Sequence, residues 1–192
     1  MSAARPIANT RSAAGMPTGR LAVWMVVVSE IVVFGGVLAS YIMHRLAHDA
    51  WSVQAAHTNM WIGAFNTFVL LTSSLFVAFA HKAAEEGDGV KASNFLWMTV
   101  AGGTTFVIVK ALEWTSEITA GYTITSSTFW SFYYTAAGLH ALHVIAGVVI
   151  LMIIAMQARK QMELHRVELI GIYWYFVEIV WFFLFPLLYI AK

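Results

Sequence analysis

The chain has no cysteine. That excludes disulfides, thiolate metal sites and a cysteine nucleophile, and it says nothing of redox compartment. Charge is the next shortage. Asp, Glu, Lys and Arg make up 11% of residues, against roughly 25% in a soluble domain. The formal charge is +1, so no nucleic-acid partner and no acidic substrate is suggested. Of the three prolines, two fall in the N-terminal tail and the third, Pro186, lies a few residues from the chain end, where a kink is expected to change little. There is no internal repeat and no low-complexity segment. The alternation that a membrane β-barrel requires is absent. No Glu-x-x-His occurs, the motif a di-iron bundle places on two helices.

Apolar surface is abundant: 60% of the 192 residues are hydrophobic, with 8 Trp and 13 Phe, and the mean hydropathy is +0.73. The chain reads as an all-α integral membrane protein, one compact bundle of five transmembrane helices without a large soluble domain. The spans are about 21–43, 60–80, 94–114, 129–157 and 170–190. Each is long enough to cross about 30 Å of hydrocarbon as a helix. Residues 1–19 form a polar tail and 20–192 the membrane domain. The tail and first span could be read as a signal peptide, but the apolar run is too long for a signal core, so a retained anchor is expected. Short connections make neighbouring spans antiparallel. Eight of the eleven Lys and Arg residues fall in the tail and in the second and fourth connections. The positive-inside rule then places the N-terminus in the cytoplasm and the C-terminus outside.

The fourth span centres on GLHALHVIAG, Gly138 to Gly147. Counted from Phe129 at about 1.5 Å per residue, His140 and His143 lie roughly 16 to 21 Å deep, near the midplane. Ala136, His140, His143 and Gly147 share one helical face. Glu30 on the first span and Glu178 on the fifth lie roughly 14 and 12 Å from the inner face, in the same slab. Lys110, Glu113 and Glu117 share a face near the outer end of the third span, where Lys110 and Glu113 can pair at i,i+3. Buried carboxylates of this kind hold protons or find partners. Asn66, Thr67, Thr72, Ser73 and Ser74 make a polar seam on the second span, read as interhelical hydrogen bonding. Gly35–Gly36 and Gly102–Gly103 read as close-packing sites. Trp51, Trp61, Trp97 and Trp114 read as interfacial anchors. His44, His48, Asp49 and His57 read as solvated loop residues, and Glu85–Gly89 as a turn.

Four readings of the buried polar groups compete. Relays use such acids and histidines, although the same groups also serve to lock helices together. A metal or haem held by His140 and His143 lacks partners in the middles of the other spans. A transporter usually shows repeats and broken spans, which are absent. The fourth reading, a non-catalytic subunit packed on a larger membrane enzyme, fits best.

Five segments give that reading a family. They are SEIVVFGGVLASY (Ser29–Tyr41), NTFVLLTSS (Asn66–Ser74), Glu113–Trp114, FWSFYYTAAGLHALHVIAG (Phe129–Gly147) and YWYFVEIVWFFLF (Tyr173–Phe185). In this order they resemble the haem-copper oxidase subunit III family, the third subunit of cytochrome c and quinol oxidases. The likeness runs from about Leu21 to Tyr189. Tyr175 stands where that family usually has histidine and Glu178 where it has aspartate, so a titrating imidazole is lost there. The ending LFPLLY, Leu184–Tyr189, is closer to the NorE branch associated with nitric oxide reductase. Longer family members carry two further helices ahead of the matching segment, so a lipid cleft here would take a wall from a partner.

The resemblance implies a subunit with no catalytic residue, metal or cofactor of its own. Its partner would be the catalytic subunit I of an oxidase or nitric oxide reductase, which holds haem with copper or iron, joined by subunit II and a small subunit IV. Phospholipid would be retained in a cleft, and proton delivery into the partner supported. Glu30 matches the acidic residue of the family's lipid- and proton-associated face. His140, His143 and Glu113 match internal polar positions, and Glu178 the altered acid. Asn66, Ser73 and Ser74 fall in the matching seam. A bacterial inner membrane is the expected location.

Overall fold

The computed structural model describes residues 15–47 and 51–190. Most of the expected tail, together with His48, Asp49 and Lys192, lies outside them.

Helix α1 spans Thr18–Ala47, α2 Trp51–Ala55, α3 Met60–Glu85, α4 Gly89–Thr119, α5 Thr128–Arg159 and α6 His165–Phe185. A π-helical turn, Pro186–Ile190, follows α6. Five of these helices are long and apolar enough to cross a membrane. Most of their ends lie a few residues beyond the expected spans, and three of the helices begin on polar caps. Asn59 accepts from Trp61 N at 3.0 Å, Asp88 from Lys91 N at 2.9 Å and Ser127 from Trp130 N at 3.5 Å. These side chains satisfy backbone donors that a helix start leaves free. The Glu85–Gly89 turn is present, with Gly87 at φ +79°, a conformation that favours glycine.

α3, α4, α5 and α6 close into a ring, each packed on two neighbours, and α1 leans on α6 and α5 from outside. The buried residues of α1 are Val27, Phe34 and Tyr41. Their seven-residue spacing makes a narrow seam, as in near-parallel helix packing. By contrast α5 buries a broad face from Phe129 to Ala158. Exposed Arg20 and Glu168 pair between the starts of α1 and α6.

Small residues set the ring's spacing. A Cβ on Gly102 would meet Ser73 Cβ at 2.8 Å, and one on Gly103 would meet Trp174 and Val148 at 2.6 Å. A Cβ on Gly147 would meet Trp174 too, 2.9 Å from Cζ3. Glycine here admits an indole between α4 and α5 rather than another backbone. Trp174 then donates to Ser73 Oγ of α3 at 3.0 Å.

Three expectations are corrected. Gly35 and Gly36 have nothing within 4 Å of a built Cβ, so they pack against no part of the described chain. Trp51 is no interfacial anchor. It is 4% exposed, set edge-on to Tyr41 and Phe129, and donates to Tyr41 Oη at 3.2 Å. The Pro186 kink matters more than its place near the chain end suggested. Proline cannot continue the α-helical bonding of the preceding turn, and the widened turn brings Tyr189 wholly inside. It also lets Leu187 O accept from Tyr41 at 2.6 Å and Leu188 O from Thr58 at 3.3 Å.

Candidate functional site

The polar groups named from sequence occupy three places. The first lies on the seam between α1 and α5. Glu30 Oε2 is 3.0 Å from His143 Nε2, and both side chains are partly exposed. His143 Nδ1 lies 2.8 Å from Leu139 O. A carbonyl only accepts, so Nδ1 carries a hydrogen. The Nε2–Glu30 contact therefore shares one proton, written either as imidazolium with carboxylate or as imidazole with carboxylic acid. Phe34 packs edge-on to the ring at 5.2 Å, and Tyr173 donates to His143 O at 3.1 Å.

The second place is a buried ionic network at the end of the bundle where α4 finishes and α5 begins. Lys110 Nζ donates to Glu113 Oε2 at 2.9 Å, Tyr133 Oη at 3.1 Å and Tyr189 Oη at 2.6 Å. All three ammonium hydrogens are thus accepted. Tyr189 donates to Glu113 Oε1 at 2.8 Å, and Tyr133 to Glu117 Oε1 at 3.0 Å. Tyr134 donates to Tyr122 O at 2.7 Å and lies 3.4 Å from Glu117 Oε2. Rings wrap the ammonium, with the centroids of Tyr133 and Trp181 at 4.9 and 5.6 Å. A cavity of about 220 Å³, lined by His57, Asn59, Glu113, Ser116, Glu117 and Tyr122 among others, leads to the two carboxylates.

The third place is the ring's interior. His140 is fully buried, stacked on Trp181 at 5.3 Å and edge-on to Phe106 at 5.4 Å. The two histidines of GLHALH thus diverge: His143 faces α1, and His140 faces α4 and α6. Glu178 is half-buried beside Ser74 of α3, apart from the Glu30 pair. The seam on α3 is bonded at Ser73, and at Thr67, which accepts from Trp181 Nε1 at 3.0 Å. Asn66 is buried with neither amide atom bonded to a described residue. Thr72 bonds its own helix, at Phe68 O. Among the described residues no three His, Cys, Asp or Glu side chains gather as metal ligands would.

Sequence reasoning missed the tyrosines of the network. Tyr133 was within reach, since it lies seven residues before His140 on the same face of α5. Tyr189 was not, because the π turn delivers it.

The chain matches the family model described as cytochrome c oxidase subunit III over residues 8–192. It belongs to the cytochrome c oxidase subunit III family. A cytochrome c oxidase subunit 3 of Thermostichus vulcanus is 29% identical over 168 residues, covering 85% of this chain and 82% of the relative. One from Corynebacterium diphtheriae is 29% identical over 170 residues, covering 85% and 83%. A heme-copper oxidase subunit I+III of Aeropyrum pernix is 32% identical over 190 residues, covering 90% of this chain and 22% of that longer protein. The family thus includes a relative whose name joins subunits I and III in one chain.

Proposed function

We propose that this protein is a non-catalytic subunit III of a haem-copper oxidase, docked on catalytic subunit I. The family match across residues 8–192 carries the reading. The shape of the bundle supports it. The core lies in the four-helix ring, while α1 leaves Met25, Val28, Ile31, Val32 and Met43 exposed. Such a face suits lipid or a neighbouring transmembrane subunit. The fused Aeropyrum pernix relative supports subunit I as that neighbour. Haem, with copper or iron, would be held by the partner, and subunit II and a small subunit IV would complete the assembly.

Retained phospholipid is the second part of the proposal. A groove of about 460 Å³ runs between α1 and α6 past Trp24, Phe34 and Tyr175. Another, of about 520 Å³, runs between α1, α5 and α6, with Arg166 and Gln157 among its lining residues. Both are mainly apolar, as acyl chains require, and Arg166 could meet a phosphate. Glu30 pairs with His143 beside Tyr173, which lines the second groove, and support of proton uptake is assigned to that pair. The excess of Lys and Arg on one side supports a cytoplasmic N-terminus and an outside C-terminus, and a bacterial inner membrane is the location that goes with this proposal.

The test is a mild-detergent pull-down of the tagged chain with a reduced-minus-oxidised spectrum of the product. Haem bands and a large multi-span partner are expected, and the haem types separate an oxidase from a nitric oxide reductase. Glu30→Gln or His143→Ala should weaken assembly or shorten sustained turnover. A colourless chain that purifies alone in several detergents overturns the reading, and transport by the reconstituted chain would then be the assay to run.

A further inference from the structure

His140 is fully buried, and neither ring nitrogen bonds to a described residue. Aromatic contacts with Trp181 and Phe106 hold the ring. In a neutral imidazole one nitrogen donates and the other accepts. Polar groups this deep are normally satisfied by protein or by internal water. A second such group sits at the same level. The Thr99 Oγ1 to Ser73 O bond at 3.3 Å sets the antiparallel register of α3 and α4. Carried along the helices, that register puts Asn66 across from Phe106, the ring that touches His140. Asn66 too is fully buried, with both amide atoms unbonded among the described residues.

These two groups lie between the ionic clusters. One turn along α5, His143 meets Glu30 at 3.0 Å. On the other side, Lys110 Nζ sits 5.6 Å from the centroid of the Trp181 ring on which His140 stacks. Beyond Lys110 the hydrogen bonds run unbroken through Tyr133 to Glu117 and its cavity.

The geometry points to an internal water site inside the ring, with water bonded to the His140 ring nitrogens and to the Asn66 amide. It fills the polar gap between the Glu30–His143 pair and the Lys110 network. Water suits the site because it donates and accepts at once, as an imidazole and an amide both require. It also gives a buried group within the membrane a route for proton exchange. A proton taken at one His140 nitrogen is matched by one released at the other, and tautomer exchange resets the ring. The inference stands independently of the oxidase reading, since it concerns only this chain's interior.

The experiment uses the full chain in lipid nanodiscs with 15N-labelled histidine, and measures magnetisation transfer from water to ring nitrogens. His140 is expected to gain signal from water, as solvent-exposed His57 does. His140→Phe, which keeps an aromatic ring against Trp181, should lose that signal and leave those of His57 and His81 in place. A wild-type His140 that stays dark at mixing times that saturate His57 overturns the proposal. That reading needs no variant, so a folding failure of His140→Phe cannot obscure it.

Discussion

Lys110 is the one lysine or arginine fully buried among the described residues, and it faces two carboxylates. With its ammonium charged, one glutamate is balanced and the other adds a negative charge unless it holds a proton. This asymmetry gives opposite expectations for two neutralising substitutions. Lys110→Met leaves Glu113 and Glu117 buried without a cation, and removing one partner of a buried pair typically costs about 3–5 kcal/mol. Glu117→Gln removes the surplus charge while its amide oxygen still accepts from Tyr133, so it should shift stability by less than about 1 kcal/mol. Unfolding in mixed micelles, followed by tryptophan fluorescence, ranks the two. An equal loss for both would refute the idea that Lys110 serves two acids. The sequence made this much legible, because 110, 113 and 117 fall on one face of a helix whatever it packs against. It could not say that tyrosines from α5 and the chain's last turn complete the set. Those contacts depend on how helices meet, which no spacing within one helix records.

At the scale of elements, two devices decide where α6 places its side chains. One is Pro186. Its substitution by alanine restores a backbone N–H and removes the ring that blocks the preceding turn, so α6 can continue straight and carry Tyr189 off Lys110 and Glu113. Pro186→Ala and Tyr189→Phe should each cost about 1–3 kcal/mol, the range for leaving a buried polar group unsatisfied. Both variants lose the Tyr189 contact, and Pro186→Ala also disturbs the Leu187 and Leu188 acceptors of Tyr41 and Thr58. The double variant should therefore cost about as much as Pro186→Ala alone and less than the two losses added. Fully additive losses would show that Pro186 does not position Tyr189. The second device is the slot for Trp174 between Gly103 and Gly147. Gly103→Ala sets a methyl 2.6 Å from the indole, and overpacking of this kind costs about 1–3 kcal/mol. Trp174→Phe in the same chain should recover part of that, measured by the same unfolding assay. The spans themselves were legible from length and apolarity. The sorting of their faces was not. In a membrane the lipid-facing and protein-facing sides are both apolar, and hydrophobic patterning loses the contrast it has in water. Trp51 shows the consequence: a tryptophan near a span end suits a lipid interface and a packed core equally well.

The same loss of contrast governs the whole molecule, and α1 is where it matters most. Its seam of three buried residues holds it to the ring, while Gly35 and Gly36 touch nothing in the described chain. Close-packing glycines with no neighbour of their own chain make sense if another subunit's helix lies against them. The sequence marked those glycines as close-packing sites without naming a partner, and the described chain supplies none. This leads to a prediction that separates folding from assembly. Gly36→Leu adds a side chain to open space, so the isolated bundle should unfold within about 0.5 kcal/mol of the wild type, as surface substitutions do. Against subunit I the same leucine would hold two backbones apart, and the yield of haem-containing complex in the pull-down should fall several-fold. Val53→Ala, at an exposed position of α2, is the control and should change neither quantity. A loss of stability in the isolated chain would mean that α1 already packs its glycine face within the bundle. Unchanged co-purification would mean that subunit I docks elsewhere, and would leave lipid as the occupant of this face.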